Sequence, residues 1–289
     1  MGGLRKRFFR LIFVLMIGCV MGFTGCKDMS VELNVEAFKK KGELIVLTDP
    51  TFHPYEYWDN STGKPVGVDM DIAKLIAKEL GVRLEIHQQT FERLLPALGA
   101  NEGDVAMAAI TLTSENEKIY PHSEPYADAC QKILVLKDRS DIEKFNDLAN
   151  KRVGVPVGTT SATYMQNALK DENRPFNGTN TKLELCNDTQ EAIQALRNEH
   201  VDAVLLDSYP ADYYARKYPE SLKVLPELIG TEKYVFMYSK NMSQEVISLI
   251  DNIIARIKTD GTLDGFYAKH NFVNTGGSGE NENESENIT

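Results

Sequence analysis

The stretch VGVDMDIAKLIAKELGVRLEIH, residues 66–87, is the clearest indication of the fold class. Its apolar residues recur at helical spacing, which predicts an amphipathic helix over Asp69–Leu80 that ends at Gly81. The next residues, Arg83–His87, alternate between apolar and polar side chains as in a half-buried strand. A helix that leads directly into a strand indicates an α/β arrangement.

The same alternation continues on both sides of this stretch. Short apolar runs predict further strands at Leu44–Leu47, Asp104–Ile110, Ile133–Leu136, Arg152–Val157, Asp202–Leu206 and Tyr234–Tyr238. Helical spacing predicts helices at Phe91–Leu98, Ala162–Leu169, Thr189–Asn198 and Val246–Ile257, the last closed by Gly261. Residues 48–67 are rich in aromatics, Pro, Gly and Asn, and we expect a loop there. Strands that alternate with helices predict α/β layers with largely parallel sheets.

Length and composition limit the possible classes of protein. The chain has 289 residues, of which 42% are hydrophobic and 26% are charged, so it can bury an ordinary globular core. This length is at the upper limit for a single core, which predicts two lobes. The net charge of −10 argues against broad electrostatic binding to nucleic acid or to an anionic membrane.

Residues 1–25 have the composition of a secretory signal. A basic cluster precedes the uncharged run Leu11–Phe23, which at 13 residues is shorter than the roughly 20 that a membrane span needs. The sequence Phe-Thr-Gly-Cys at 23–26 resembles a bacterial lipobox, although Phe23 stands where Leu is usual. This resemblance implies that Cys26 is lipidated and becomes the mature N-terminus, with 26–36 as a tether. The alternatives are an uncleaved anchor and an ordinary signal peptide.

The remaining cysteines and acidic pairs predict no cofactor and no metal. Cys130 and Cys186 have no metal-ligand spacing, and we interpret them as small buried hydrophobes, with a disulfide as the alternative. Asp69 and Asp71 open the predicted helix, where capping and the helix dipole explain them better than a metal does. Residues 274–289 are rich in Gly, Asn, Ser and Glu, and we expect them to be disordered.

Several stretches together resemble the bacterial extracellular solute-binding proteins of family 3, which are receptors of polar amino-acid ABC importers. They follow the order and spacing of that family over about residues 40–273. The stretches are Thr48–Tyr57, Gly67–Ala73, Leu80–Val82, Ile110–Thr113, Ser123–Tyr126, Val153–Thr160, Val201–Val204 and Thr259–Leu263.

This resemblance implies a two-lobed, type II periplasmic-binding-protein clamp with the ligand between the lobes. Residues 37–131 and 236–273 would form lobe 1, and residues 138–230 would form lobe 2. Two hinge strands, 132–137 and 231–235, would join them, and rotation about the hinge would close the cleft.

The resemblance also implies ligand-binding residues. Asp207 matches the acid that binds the amine, and Thr159 with Thr160 form the turn that meets a carboxylate at a helix N-terminus. Phe52 and Phe91 match the aromatic walls of the cleft. The alternative roles are a helix N-cap for Asp207, capping for the threonine turn and core packing for the aromatics.

Three further positions complete the implied site. Asp49 matches an acid that, in family members that bind basic amino acids, meets the cation at the end of the ligand's side chain. The alternative role of Asp49 is that of a turn residue before Pro50. Thr111 is also assigned to the site, as is Ala109, which stands where many members have Ser.

The sequence departs from the family at Asn116, where the usual residue is the Arg that grips the α-carboxylate. An Asn cannot supply a bidentate ionic fork. Two retained acids and a missing Arg favour a cationic ligand with little or no free α-carboxylate. Alternatively, Lys118 or Arg93 replaces the Arg.

From these residues we predict an extracytoplasmic, lipid-anchored receptor of an ABC importer for amino acids or related amines. Its partners would be a small nitrogen-bearing solute, the permease and the ATPase, and we expect a monomer that binds no nucleic acid. One alternative is an enzyme on the same fold, similar to prephenate dehydratases, with His53 and Glu56 as candidate acid–base groups. Another is a sensory ligand-binding partner.

Overall fold

The computed structural model describes residues 32–172, 176 and 178–270. The predicted signal segment, Cys26 and residues 271–289 lie outside the described residues. Within the described ranges, none of the helices is long and apolar enough to cross a membrane.

Eight α-helices and twelve strands make up this described part. The helices are α1 (Val35–Lys41), α2 (Val68–Leu80), α3 (Phe91–Gly99), α4 (Thr160–Lys170), α5 (Thr189–Arg197), α6 (Ser208–Lys217), α7 (Gln244–Thr259) and α8 (Thr262–Lys269). The strands are β1 (Glu43–Thr48), β2 (Thr51–Phe52), β3 (Glu56–Asp59), β4 (Lys64–Val66), β5 (Arg83–Gln88), β6 (Val105–Thr111), β7 (Ala127–Leu136), β8 (Arg152–Pro156), β9 (Lys182–Cys186), β10 (Ala203–Asp207), β11 (Leu222–Val224) and β12 (Ile229–Tyr238).

One mixed sheet of nine strands organises the fold, in the order β5-β1-β6-β12-β7-β10-β8-β9, with β11 paired to β7. Strands β5, β1 and β6 are parallel to one another, and so are β10, β8 and β9. Between these groups, β12 and β7 run antiparallel to each other and to their neighbours. The fold is therefore α/β as predicted, with two parallel halves joined by two long central strands.

Each half of the sheet carries apolar residues on both faces. In the first half, Leu44 and Ile76 belong to one buried cluster, and Leu47 and Leu98 belong to another. The second half likewise has one cluster around Ile133 and Met165 and another around Leu134 and Leu196. Helices therefore cover both faces of each half, as a sheet with parallel strands requires.

Some predicted details are wrong. Residues 48–67 are more than a loop, because β2, β3 and β4 form a separate antiparallel sheet there. The prediction also missed the strands β9 and β11 and the helices α1, α6 and α8. Helix α7 ends at Thr259 with Asp260 as its C-cap, and Gly261 instead precedes α8.

The start of α2 also differs from the prediction. Its N-cap is Gly67, which offers no side-chain cap. The Asp69 carboxylate accepts the backbone N–H of Ala109 at 3.0 Å, and the Asp71 carboxylate pairs with Lys74 and Lys269. Both acids thus connect α2 to other elements.

We expect Gly67→Ala to destabilise the protein far more than Gly81→Ala. Both glycines have positive φ, but a Cβ on Gly67 would lie 2.0 Å from the Tyr55 carbonyl oxygen, whereas a Cβ on Gly81 meets nothing within 4 Å. The control should lose about 1 kcal/mol and Gly67→Ala about 3 kcal/mol or more. Urea denaturation measures both, and equal losses would contradict the steric argument.

Candidate ligand-binding site

A cavity of about 910 Å³ opens where strands of both parallel halves end. Residues that follow the carboxyl ends of β1, β8, β9 and β10 all reach it, as is usual for ligand sites in open α/β sheets. The nine residues predicted for the site all line this cavity, and they are Asp49, Phe52, Phe91, Ala109, Thr111, Asn116, Thr159, Thr160 and Asp207.

Asp207 sits in a hydrogen-bonded network that joins three strands. One carboxylate oxygen accepts from the Gln131 amide at 2.5 Å, and the other accepts from the Tyr234 hydroxyl at 2.5 Å. The same Gln131 amide donates to Glu232 at 2.8 Å, and the Thr111 hydroxyl donates to the second Glu232 oxygen at 2.6 Å. Two carboxyl groups from β10 and β12 therefore share one amide at the base of the cleft.

The electrostatics of this pair favour a cationic partner. Burial, reinforced by the nearby Glu232 carboxylate, raises the pKa of Asp207 to about 7. No lysine or arginine appears among the described residues that line the cleft. A ligand ammonium placed here would compensate charge that the protein leaves unpaired.

The threonine turn predicted to meet a carboxylate uses its hydroxyl groups within the protein. Thr159 is the N-cap of α4, since its Oγ1 accepts from Ala162 and donates to the Pro156 carbonyl at 2.8 Å. Thr160 Oγ1 accepts from the Gln131 amide at 3.2 Å, and the Ser161 hydroxyl donates to the Gln131 side-chain oxygen. This turn therefore caps α4 and also lines the cavity.

Asn116 is engaged with its own loop. Its side-chain oxygen accepts from the Thr113 N–H at 2.9 Å, and its side-chain nitrogen donates to the Thr111 carbonyl at 2.8 Å. Neither proposed substitute for the missing Arg reaches the cleft: Lys118 lines a separate cavity of about 520 Å³, and Arg93 lines neither of these two cavities.

The other end of the cleft has a second group of acids. Asp49 accepts the N–H of Phe91 at 3.0 Å, so it caps α3 from outside, and burial raises its pKa to about 6. Glu56 is fully buried, and burial together with the Asp69 and Asp49 carboxyls raises its pKa well above the ordinary range. Among the described residues, no donor group meets either Glu56 oxygen, and the neighbouring Asp69 carboxyl can share a hydrogen with it only when one of the two is protonated.

Two residues of the cleft that sequence reasoning missed carry its central network. Gln131 and Glu232 both lie inside long strands, on which no motif or strand end marks them. Glu56 was considered only as a candidate acid–base group, and its companion His53 does not line the cleft. The His53 ring stacks on Tyr213 with centroids 3.7 Å apart, and burial lowers its pKa to about 4.

The two remaining cysteines are free in this structure. Cys186 is buried, in agreement with the interpretation as a small hydrophobe, and Cys130 is half-buried. Burial raises the pKa of both thiols, so neither is activated as a thiolate.

Comparisons with known proteins agree with this geometry. The family model for bacterial extracellular solute-binding proteins, family 3, matches residues 44–273. A probable histidine-binding protein of Campylobacter jejuni is 27% identical over 92% of this chain and 98% of its own length. An amino acid ABC transporter substrate-binding protein, AbpA of Streptococcus pneumoniae bound to L-arginine, has a TM-score of 0.74 and 30% identity over 81% of this chain and 97% of its own. An ancestral amino acid-binding protein described as a precursor of cyclohexadienyl dehydratase has a TM-score of 0.73 and 32% identity over 81% of this chain and 98% of its own.

We expect the ligand-free protein to gain stability as the pH falls from 8 to 6.5. Asp69 and Asp207 have folded pKa values of about 7, raised by burial above the ordinary 3.8, so the folded state takes up protons that the unfolded state does not. The contribution is present at low pH and is lost as the pH rises through about 7. Glu56 acts in the same direction. His53, whose pKa burial lowers from the ordinary 6.5 to about 4, opposes the gain in part and increasingly as the pH approaches 6.5.

Denaturant titrations at pH 6.5, 7.2 and 8 measure this effect, for which linkage gives about 1–3 kcal/mol over that range. The slope should be shallower in Asp207→Asn. A stability that rises with pH in this window would show that these carboxyls are ionised in the folded state.

Proposed function

The chain belongs to the bacterial extracellular solute-binding proteins of family 3, and from this membership we propose that it is the lipid-anchored receptor of an ABC importer for a cationic amino acid or related amine. The observation that carries the ligand class is the pair of carboxyl groups on one Gln131 amide, the buried Asp207 and the half-buried Glu232. Such a pair stabilises an ammonium group that must give up its hydration on entering the cleft.

The walls of the cleft support the same ligand. Phe52 and Phe91 line it and are half-buried, so part of each ring faces the cavity. Aromatic faces supply apolar area and attract cations at the same time. A small molecule with a cationic end and an aliphatic stem fits both the network and these walls.

Contacts between the two halves support a clamp that closes over its ligand. The His53 ring, which lies between β2 and β3, stacks on Tyr213 of α6. A Cβ added to Gly158, which precedes α4, would lie 3.0 Å from the Glu92 Cβ of α3. Residues of the two halves therefore meet at the cleft, as closure by rotation requires. We assign the boundaries of this motion to the lobes and hinge strands expected from the sequence.

A binding role is favoured over an enzymatic one. The relatives compared above are described as binding proteins, although one is a precursor of a dehydratase. Of the two candidate acid–base groups, His53 stacks on Tyr213 outside the cleft lining, which leaves Glu56 in the cleft without that histidine as its companion. A general acid or base must come within hydrogen-bond reach of the reacting group, so His53 supplies no chemistry at this cavity.

We expect Asp207→Asn to weaken binding of the cognate amine or amino acid by about 100-fold or more, because the change leaves the ligand cation without its buried countercharge. Asp212→Asn, in the helix α6 that follows Asp207, is the matched control and should bind normally, because Asp212 pairs with Lys132 at 3.0 Å outside the cleft lining. Calorimetry on the full chain in detergent measures both. Wild-type affinity in Asp207→Asn would contradict the assignment of this acid to the ligand.

We expect Cys26→Ser to abolish incorporation of labelled fatty acid, because it removes the thiol that the lipobox resemblance predicts as the acceptor. Cys130→Ser, which alters a free thiol in the folded body, should be labelled like the wild type. Labelling and membrane fractionation in a bacterial host measure this. A labelled Cys26→Ser protein would contradict lipidation at that residue, and an unlabelled wild type that stays in membranes would favour an uncleaved anchor.

A further inference from the structure

We propose that the cleft selects a dication without a carboxylate, such as a diamine or an amino-guanidine, and that Glu232 is the residue that excludes the carboxylate. This inference rests on the proposed solute-binding function and narrows its ligand class. It follows from the charge of the cleft, from the use of its hydrogen-bond donors and from a buried acid at its far end.

The charge of the cleft is of one sign. Seven carboxyl side chains line it and, among the described residues, no Lys, Arg or His does. The seven are Asp49, Glu56, Glu92, Glu115, Asp188, Asp207 and Glu232. A zwitterionic amino acid brings a carboxylate into this field without a protein cation to pair with it, and each buried unpaired ion costs several kcal/mol.

Glu232 already occupies donors that a ligand carboxylate would need. Its two oxygens accept from the Thr111 hydroxyl at 2.6 Å and from the Gln131 amide at 2.8 Å. A second carboxylate at this place would find these donors taken and would lie against a like charge. Glu232 thus occupies the position next to Thr111 and Gln131 that a ligand carboxylate would need, and its own carboxylate would repel that group.

Nearby side-chain donors are also committed. The Asn116 amide donates to the Thr111 carbonyl at 2.8 Å, and the Thr159 hydroxyl donates to the Pro156 carbonyl at 2.8 Å. Donors that remain beside this network include backbone N–H groups in the first turn of α4 and the second hydrogen of the Asn116 amide. The backbone N–H groups lie beside Thr160, whose hydroxyl accepts from the Gln131 amide. The same amide donates to Asp207 and Glu232, so both acids are close enough to oppose an anion bound at this turn.

A second cation subsite lies at the other end of the cleft. Glu56 lines the cavity, is fully buried and meets no protein donor group among the described residues, because its neighbour is the Asp69 carboxyl. A buried carboxyl beside another carboxyl is costly, and a donor from the ligand would stabilise it. Asp49 lies close enough to raise the pKa of Glu56, so the two acids form a receptor for a second positive group.

Matched ligand pairs test the proposal directly, because each pair differs by one carboxylate. The pairs are putrescine with ornithine, cadaverine with lysine, and agmatine with arginine, titrated calorimetrically into the full chain in detergent. We expect the decarboxylated member to bind about ten-fold tighter or more in at least one pair, and the amino acid to be tighter in none.

Two variants assign the preference to Glu232. Glu232→Gln should reduce the ratio of affinities within a pair, and Glu232→Gln with Asn116→Arg should reverse it, because an Arg fork and a free subsite then receive the carboxylate. Glu117→Gln removes an exposed acid outside this cleft and should leave the ratio unchanged. An unchanged ratio in a folded Glu232→Gln variant would overturn the role of this residue.

The outcomes separate this inference from the proposed function. Tighter binding of lysine, ornithine or arginine than of its decarboxylated partner overturns the dication proposal and leaves a solute receptor. Binding of a neutral amino acid such as glutamine, without binding of any cation, also overturns the dication proposal and leaves a solute receptor. Failure of every amine and amino acid to bind overturns the proposed function as well.

Discussion

Burial of the Asp207 carboxyl beside the half-buried Glu232 carboxyl governs the chemistry of the site. Asp207 and Glu232 share a single Gln131 amide, and no described basic residue in the cleft balances them. Burying such a pair is unfavourable, and the cost appears as the pKa of Asp207 raised to about 7. The fold tolerates this because the packed faces of the nine-stranded sheet hold the strands in place regardless of the charge.

The same network lies where the two halves of the protein are joined. Gln131 is on β7 and Glu232 is on β12, the two antiparallel strands between the parallel groups, and Asp207 is the register partner of Gln131 on the adjacent β10. The proposed cation site would therefore lie on the strands that we assign to the hinge. A cation bound there would attract the carboxyl groups of β10 and β12, so the same contacts would stabilise both ligand binding and closure.

The sequence predicted the strand–helix order, because short apolar runs and helical spacing are local features of the chain. The nine residues that line the cavity were predicted from the resemblance to a family, and spacing alone would not have identified them. The prediction missed Gln131 and Glu232, since a polar residue inside a strand looks like an ordinary solvent-facing position, and only the pairing of β7 with β12 brings the two together. The small sheet of β2, β3 and β4 was missed because its strands are short and rich in turn residues. The register between distant strands is a tertiary property that local patterns do not contain.

The ligand class proposed for this cleft depends on the absence of an Arg at position 116 as much as on the presence of Glu232. An Asn at position 116, where the resemblance leads one to expect Arg, lowers the charge of the site by one unit, and its amide closes its own loop instead of facing a ligand. Glu232 lowers the charge further and consumes the Thr111 hydroxyl. Neither residue alters the sheet or its helices, because both act through side chains at the cavity surface. A receptor fold can thus change the class of its ligand by changing charge alone, since a buried charge is worth several kcal/mol and the backbone need not move.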